Sequence, residues 1–531
     1  MKYYKILSFM ILALLLTDCQ DYNDLVKNKN LPTSAPPALL LTGAMEHLNN
    51  ENAWNGKQGS QSAAQFWIST YDYYGTNNYD QSPFTKSTNN FEFTYTPSSN
   101  AGPLQDLIQM DLEAKKLGLP DVNVYGALGK FLKAYYFNLM TQKLGDIPLS
   151  QALKGSENTT PIYDTQKDVY IQILAWLEEA NSDLTQLIAS GATLSGDVFL
   201  GNNLSAWQKV VNSFTLRVLV SLSKKENEPG LNVKQKFAAI VGNSAKYPVM
   251  TSLSDNLQYV YNQNFNNYPK NPTSKGRDIT RENIGAPLLS LTTTLKDPRT
   301  FIFATPAPAL IAGGKVFTDF TAYAGADAGM SMSDLGNNAQ GGKYSYVNPL
   351  RYYADFAGSK AEPAIIIGYP ELCFNIAEGI NRGWASGNAG TWYVNGITAS
   401  MNHLGITEGS SITVADIQNT VYGTVTGISI AAYLAQPAVQ YQSGAAGLTQ
   451  ILNQKYIAFW QNSNWEAFFN QRRTGVPAFS AGPGSGNGNK IALRWQYPVA
   501  ESTANQKNYT DAVQRQYGGA DDLNGRMWIL Q

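Results

Sequence analysis

Between Leu119 and Arg217, apolar residues return three times at the helical period of about 3.6 residues. Nothing else in the chain restricts its fold as strongly. Asp121 follows Pro120 as a candidate cap, and Val124, Leu128, Phe131, Leu132, Tyr135 and Leu139 mark one face. That run breaks at Gly145-Asp146-Ile147-Pro148. Thr165-Gln166-Lys167-Asp168 is close to a capping box and opens a stripe of Val169, Ile173, Trp176, Leu177, Ala180 and Leu184. Ser205-Ala206-Trp207-Gln208 opens a third, carrying Trp207, Val210, Val211, Phe214 and Val218. Helices with one apolar face each, joined by turns, bury those faces against one another. The pattern therefore implies a mostly α fold of stacked hairpins, tetratricopeptide-like in type. The detailed repeat consensus is missing, so the inference rests on periodicity.

From about Thr251 to Pro363 no period is sustained. "YVYNQNFNNYPKNPTSKG" and "DLGNNAQGGKYSYVNPLRYY" read as long irregular loops, a length that usually carries function. Helical pattern resumes at Tyr369-Pro370-Glu371, with Pro370 suited to a first helical position and Leu372, Cys373, Ile376, Ala377 and Ile380 facing inward. It continues from Trp392 to Leu404 and from Leu448 to Arg473. Glu371 and Glu378 share a helical face near Arg382 and read as a structural charge network. Arg472 and Arg473 are placed to complement the carbonyl end of their helix, which Gly475 closes.

The N-terminal apolar run, Ile6 to Leu16 behind Lys2 and Lys5, is too short for a membrane span of about 20 residues. It fits the core of an export signal, about 7–15 residues. Residues 1–18 are expected to be that signal. Leu16-Thr17-Asp18-Cys19 resembles a bacterial lipobox, although Asp18 stands where Gly, Ala or Ser is usual. Cys19 is then the lipidation site, and residues 19–37, polar and proline-rich, are a tether. A disulfide from Cys19 to Cys373 is the rival reading, but two cysteines make no framework, and Cys373 lies among apolar helical residues. The folded part is expected over 38–531, with the loop-rich insertion at about 251–363.

The net charge is −1, so there is no basic footprint for nucleic acid. Charged residues are only 15% of the chain, while aromatics reach 12% with 31 tyrosines. Rings with hydroxyls and amides suit uncharged polar ligands, which leans towards carbohydrate. His47 and His403 stand alone, and no metal-ligand spacing, nucleophile elbow or phosphate loop occurs; no metal and no cofactor is expected. Gly482-Pro483-Gly484-Ser485-Gly486-Asn487-Gly488 follows no strand and opens no helix, so it reads as a loop. Carboxylates could supply a glycosidase pair, but spacing cannot place two in one cleft.

Several blocks occur in order: "KLGDIPLSQAL", "PIYDTQKDVYIQIL", "WQKVVNSFTLRVL", "YPELCFNIAEGINRGW", "WYVNGITASM" and "ILNQKYIAFWQNSNWEAFFNQRRTGVP". With "LPTSAPPALLLTGAMEHL" before them and "LRWQYPVAEST" after, they resemble the SusD/RagB family, and its SusD-like subgroup in particular. The resemblance covers nearly the whole mature chain. It implies a SusD-like fold, a lipid anchor on the outer face of the outer membrane, and binding without catalysis. The implied partner is a SusC-type TonB-dependent transporter that receives an oligosaccharide cargo. A RagB-like peptide cargo and a surface glycosidase remain the alternatives. In glycan-binding members an arc of aromatics contacts the sugar. The stretch here with that chemistry is "FWISTYDYYGTNNYDQSPF", giving Trp67, Tyr71, Tyr73, Tyr74, Asn77, Asn78 and Tyr79 as candidate ligand contacts. Tyr259, Tyr261 and Tyr268 with Asn262 and Asn264, and Tyr344, Tyr346, Tyr352 and Tyr353, are second candidates.

Overall fold

Asn123 starts the first striped helix. Its side chain accepts hydrogen bonds from the N–H groups of Tyr125 (3.1 Å) and Gly126 (2.9 Å), so the cap falls there and not at Asp121. The computed structural model describes residues 34–49, 54, 59–71, 77–85, 91 and 102–531. The leader, Cys19, the tether up to residue 33, and Tyr73 and Tyr74 lie outside the described residues.

The longer helices are α1 (Pro37–Glu46), α2 (Pro103–Lys116), α3 (Val124–Leu144), α4 (Gln166–Ala189), α5 (Leu204–Ser221) and α6 (Val233–Gly242), then α7 (Tyr369–Asn381), α8 (Ala389–His403), α9 (Gly444–Ala458), α10 (Glu466–Thr474) and α11 (Gln506–Tyr517). Successive helices from α1 to α6 pack on one another, α7 joins α5, and both α8 and α9 pack on α7. The three striped helices thus form antiparallel hairpins, as the periodicity predicts. Thr165 caps α4 by accepting from Asp168 N–H. The stripe residues lie in one large core, apart from Trp176, which is half-buried against Phe137.

Gly145 ends α3 with φ 90°, and a Cβ there would lie 2.2 Å from the Gln516 side-chain oxygen on α11. Beside it the buried Asp146 carboxylate accepts from Gln166 N–H (2.7 Å) and from Arg515 (2.5 Å). The "KLGDIP" block therefore locks the C-terminal helix onto the first hairpin.

The insertion is less irregular than its composition predicts. It holds short helices at Pro272–Asp278, Ala286–Thr294, Arg299–Phe303, Pro308–Ala312, Met332–Gln340 and Pro349–Tyr352. Most are a turn or two long, too few residues for a period to show; three begin at a proline and the one from Ala286 has proline second. The strands among the described residues form three two-stranded antiparallel pieces: β1 (Trp67–Ser69) with β3 (Glu282–Ile284), β2 (Leu257–Tyr259) with β4 (Ala364–Ile367), and β5 (Ser410–Ala415) with β6 (Val421–Ile428).

The single helix expected from Leu448 to Arg473 is two. Gln461, Ser463 and Asn464 take φ of 55°, 58° and 61°, which no helix accommodates. The buried linker is held from outside: Gln61 accepts from Gln461 N–H (2.7 Å) and Asn462 from Ile365 N–H (2.9 Å).

Glu371 and Glu378 do form a structural network, with partners drawn from other helices as well. Arg217 of α5 holds Glu371 at 2.7 and 2.5 Å, while Arg473 of α10 holds Glu378 at 2.6 and 3.0 Å, joined by Arg382 at 2.9 Å. Burial alone pushes the Glu378 carboxyl up, but Arg473, Lys455 and Arg382 outweigh it and hold the group at about 2. Arg472 does not serve its own helix end. It donates to the Gln142 and Leu493 carbonyls, capping the last turn of α3 instead. Gly475 closes α10 in the left-handed region. Cys373 is buried in α7, as its apolar neighbours predict.

Candidate functional site

The first aromatic stretch enters through the helix Ser60–Ala63 and then β1, whose Trp67, Ile68 and Ser69 face Ile284, Asn283 and Glu282 of β3. Every β1 residue is buried. Trp67 is 1% exposed, with the Lys270 ammonium 5.7 Å from its ring centroid. Trp67 is therefore a core residue and offers no open face to a ligand.

Tyr79 is a core residue as well, at 3% exposure. Its hydroxyl donates to the Ala63 carbonyl (2.8 Å) and accepts from Gln65 (3.2 Å), and its ring lies against Phe84 and Phe468. Burial pushes the phenol well above its ordinary pKa. Asn77 spends its amide on the scaffold, donating to the Ser69 carbonyl (2.8 Å) and accepting from Ser69 N–H (3.1 Å). It acts as a short extension of the β1 ladder. Asn78 is half-exposed beside a crevice of about 10 Å³, room for about one water.

Tyr71 differs. It is 40% exposed, and the Arg281 guanidinium lies over its ring, 4.6 Å from the centroid. The pairing follows from sheet register: Thr70 N–H donates to the Arg281 carbonyl at 2.9 Å, so the two side chains meet just past β1 and β3. No sequence pattern marks Arg281, since the segments are over 200 residues apart.

Two further segments close around this edge. Ile68 packs with Leu335 and Ala339 of the helix Met332–Gln340, and Met332 accepts a 3.5 Å contact from Asn77. Met330, 38% exposed, receives the Tyr344 hydroxyl at 3.4 Å. The glycine-rich loop lies alongside: Ser485 accepts from Tyr79 N–H (2.7 Å), and a Cβ on Gly484 would fall 1.9 Å from the Met330 carbonyl. Gly482 and Gly484 of that loop thus serve close backbone packing. The exposed or half-exposed residues along this edge include Tyr71, Arg281, Asn78, Met330 and Met332, with the acids Asp327 and Asp334 near Tyr344.

Of the second candidates, Tyr268, Tyr344, Tyr346, Tyr352 and Tyr353 are buried, whereas Tyr259 and Tyr261 are half-buried. Among the described residues, no group of three or more His, Cys, Asp or Glu is placed to hold a metal ion. No described helix is long and apolar enough to cross a membrane.

The scaffold matches known proteins. A SusD homologue from Bacteroides fragilis shares 30% identity over 94% of this chain and 100% of its own, with a TM-score of 0.77. An outer membrane protein from Bacteroides vulgatus, described as involved in nutrient binding, gives 30% identity, the same coverages and a TM-score of 0.75. A chitin-binding SusD homologue from Flavobacterium johnsoniae shares the fold at 20% identity, covering 92% of this chain and 98% of its own, with a TM-score of 0.65. No curated protein sequence matches. The SusD-like family profile, described as starch-binding and associating with the outer membrane, matches residues 29–498. With the family profile and the whole-chain structural matches in agreement over most of its length, this chain belongs to the SusD-like family.

Proposed function

We propose that the protein is a cell-surface lipoprotein, anchored through Cys19, that binds neutral oligosaccharides and passes them to a SusC-type TonB-dependent transporter. The observation that carries the ligand reading is the exposed Tyr71 ring backed by Arg281, on a chain of a starch-binding family. A ring face takes the apolar side of a pyranose, and amide and guanidinium groups take its hydroxyls. Tyr73 and Tyr74 are proposed as contacts of the same face, being next to Tyr71 in the chain. Trp67, Asn77 and Tyr79 support it from within.

Retention of the purified protein in native gels containing glycol chitin, soluble starch, xylan or mixed-linkage glucan tests the reading. Retention by at least one polymer, weakened about tenfold in Tyr71→Ala with an unchanged fold, is the expected result. Binding of peptides with no glycan retained would favour the RagB-like cargo, and release of reducing ends would favour a glycosidase. Co-purification of a transporter from the native host tests the partner.

A further inference from the structure

Tyr268, Tyr261 and Tyr259 form a ladder that leads from the core to the surface. Tyr268 is buried, and its hydroxyl accepts from Trp54 at 2.8 Å. Its ring meets Tyr261 at 5.0 Å, Tyr261 meets Tyr259 at 5.2 Å, and Tyr259 meets Phe199 at 6.5 Å. Beyond Tyr261 the chain turns back on itself. Asn262 and Asn266 exchange backbone hydrogen bonds (3.1 and 3.2 Å), Asn262 also accepts from the N–H groups of Asn264 and Phe265, and Asn266 donates to the Val260 carbonyl. This braced turn holds Phe265 at 92% exposure and Val260 at 60%.

A second turn, distant in sequence, does the same beside it. The Asp197 carboxylate accepts from the N–H groups of Phe199, Leu200 and Asn202, leaving Val198 56% exposed next to Phe199. Single exposed hydrophobes are ordinary. Here two separately fixed turns hold apolar side chains out at the mouth of an aromatic ladder, against the tendency of such side chains to bury.

Charge selects the occupant. From Asn256 to Pro269 the chain has no Asp, Glu, Lys or Arg, and its exposed amides are those of Asn262, Gln263, Asn264 and Asn267. Asp197 is committed to its own turn. The turn itself offers no counter-charge to anionic polymers or lipid headgroups, whereas rings interleaved with amides match a neutral, hydroxylated chain.

We infer that the Phe265 turn, with Tyr261, Tyr259 and Phe199 behind it, is a second carbohydrate subsite, separate from the face around Tyr71, which engages the outer units of long neutral glycans. The inference rests on the oligosaccharide reading above.

Phe265→Ser tests it, since so exposed a side chain can be replaced without disturbing the fold. Against whichever polymer retains the wild type, this variant is expected to bind about tenfold more weakly. Binding of the trisaccharide from that polymer and the thermal midpoint should stay unchanged, and Phe265→Tyr should restore polymer binding. Wild-type affinity in Phe265→Ser overturns the subsite and leaves the glycan reading standing. No retention of wild type by any of the four polymers overturns both. Unchanged polymer binding with reduced recovery of a transporter would make the turn a protein contact and overturn the subsite as well.

Discussion

Trp67 and Tyr71 are both aromatic, both follow small polar or aromatic neighbours, and lie within one short segment. Their exposures of 1% and 40% set opposite consequences for removal. Trp67→Ala is expected to cost about 3–5 kcal/mol in urea unfolding, as large core truncations do. Tyr71→Ala should shift the same curve by less than about 0.5 kcal/mol, as surface changes do, and show its effect in glycan retention alone. A side chain's type advertises what it could contact. Which contact it makes is set by distant segments: Trp67 sits in the core beside Lys270, and Tyr71 lies under the Arg281 guanidinium at the surface.

At the scale of elements, Glu378 ties α7 to α10, and its proton affinity gives the tie a pH signature. Folding lowers this carboxyl from its ordinary value near 4.5 to about 2, so its contribution is complete above about pH 4.5 and is lost as pH falls through about 2. Glu378→Gln leaves the Arg473 charge buried and should cost about 3–5 kcal/mol at neutral pH. The gap between variant and wild type, measured by denaturant unfolding at stepped pH, should close between pH 4.5 and 2. A gap that persists at pH 2 would show that packing and not charge supplies the difference. Sequence places Glu371 and Glu378 on one face of α7, because helical spacing is local. Their partners Arg217 and Arg473 lie on α5 and α10, and no spacing rule reaches them. Arg472 illustrates the same limit, since the carbonyl end it serves belongs to α3.

At the scale of the whole molecule, the proposed anchor makes a direct prediction. In the native host, wild type should fractionate with the outer membrane and carry acyl chains on Cys19, whereas Cys19→Ala should appear in the soluble fraction. Mass spectrometry of the mature N-terminus checks it. The striped helices, their hairpin packing and the family were legible in the chain because amphipathic periodicity, caps and ordered blocks are written in consecutive residues. Thr165 and Gly145 act where local chemistry puts them. The short helices of the insertion and the break at Gln461–Asn464 escaped that reading, since one or two turns show no period and the break is held by Gln61 and β4 from elsewhere. The candidate site divides in the same way. The sequence by itself determined that tyrosines and asparagines gather in a few loops, a matter of composition. Only the tertiary structure decided that Trp67 and Tyr79 go inward, that Tyr71 meets Arg281, and that Phe265 stands out at the end of a tyrosine ladder, because burial depends on which distant segment lies across the chain.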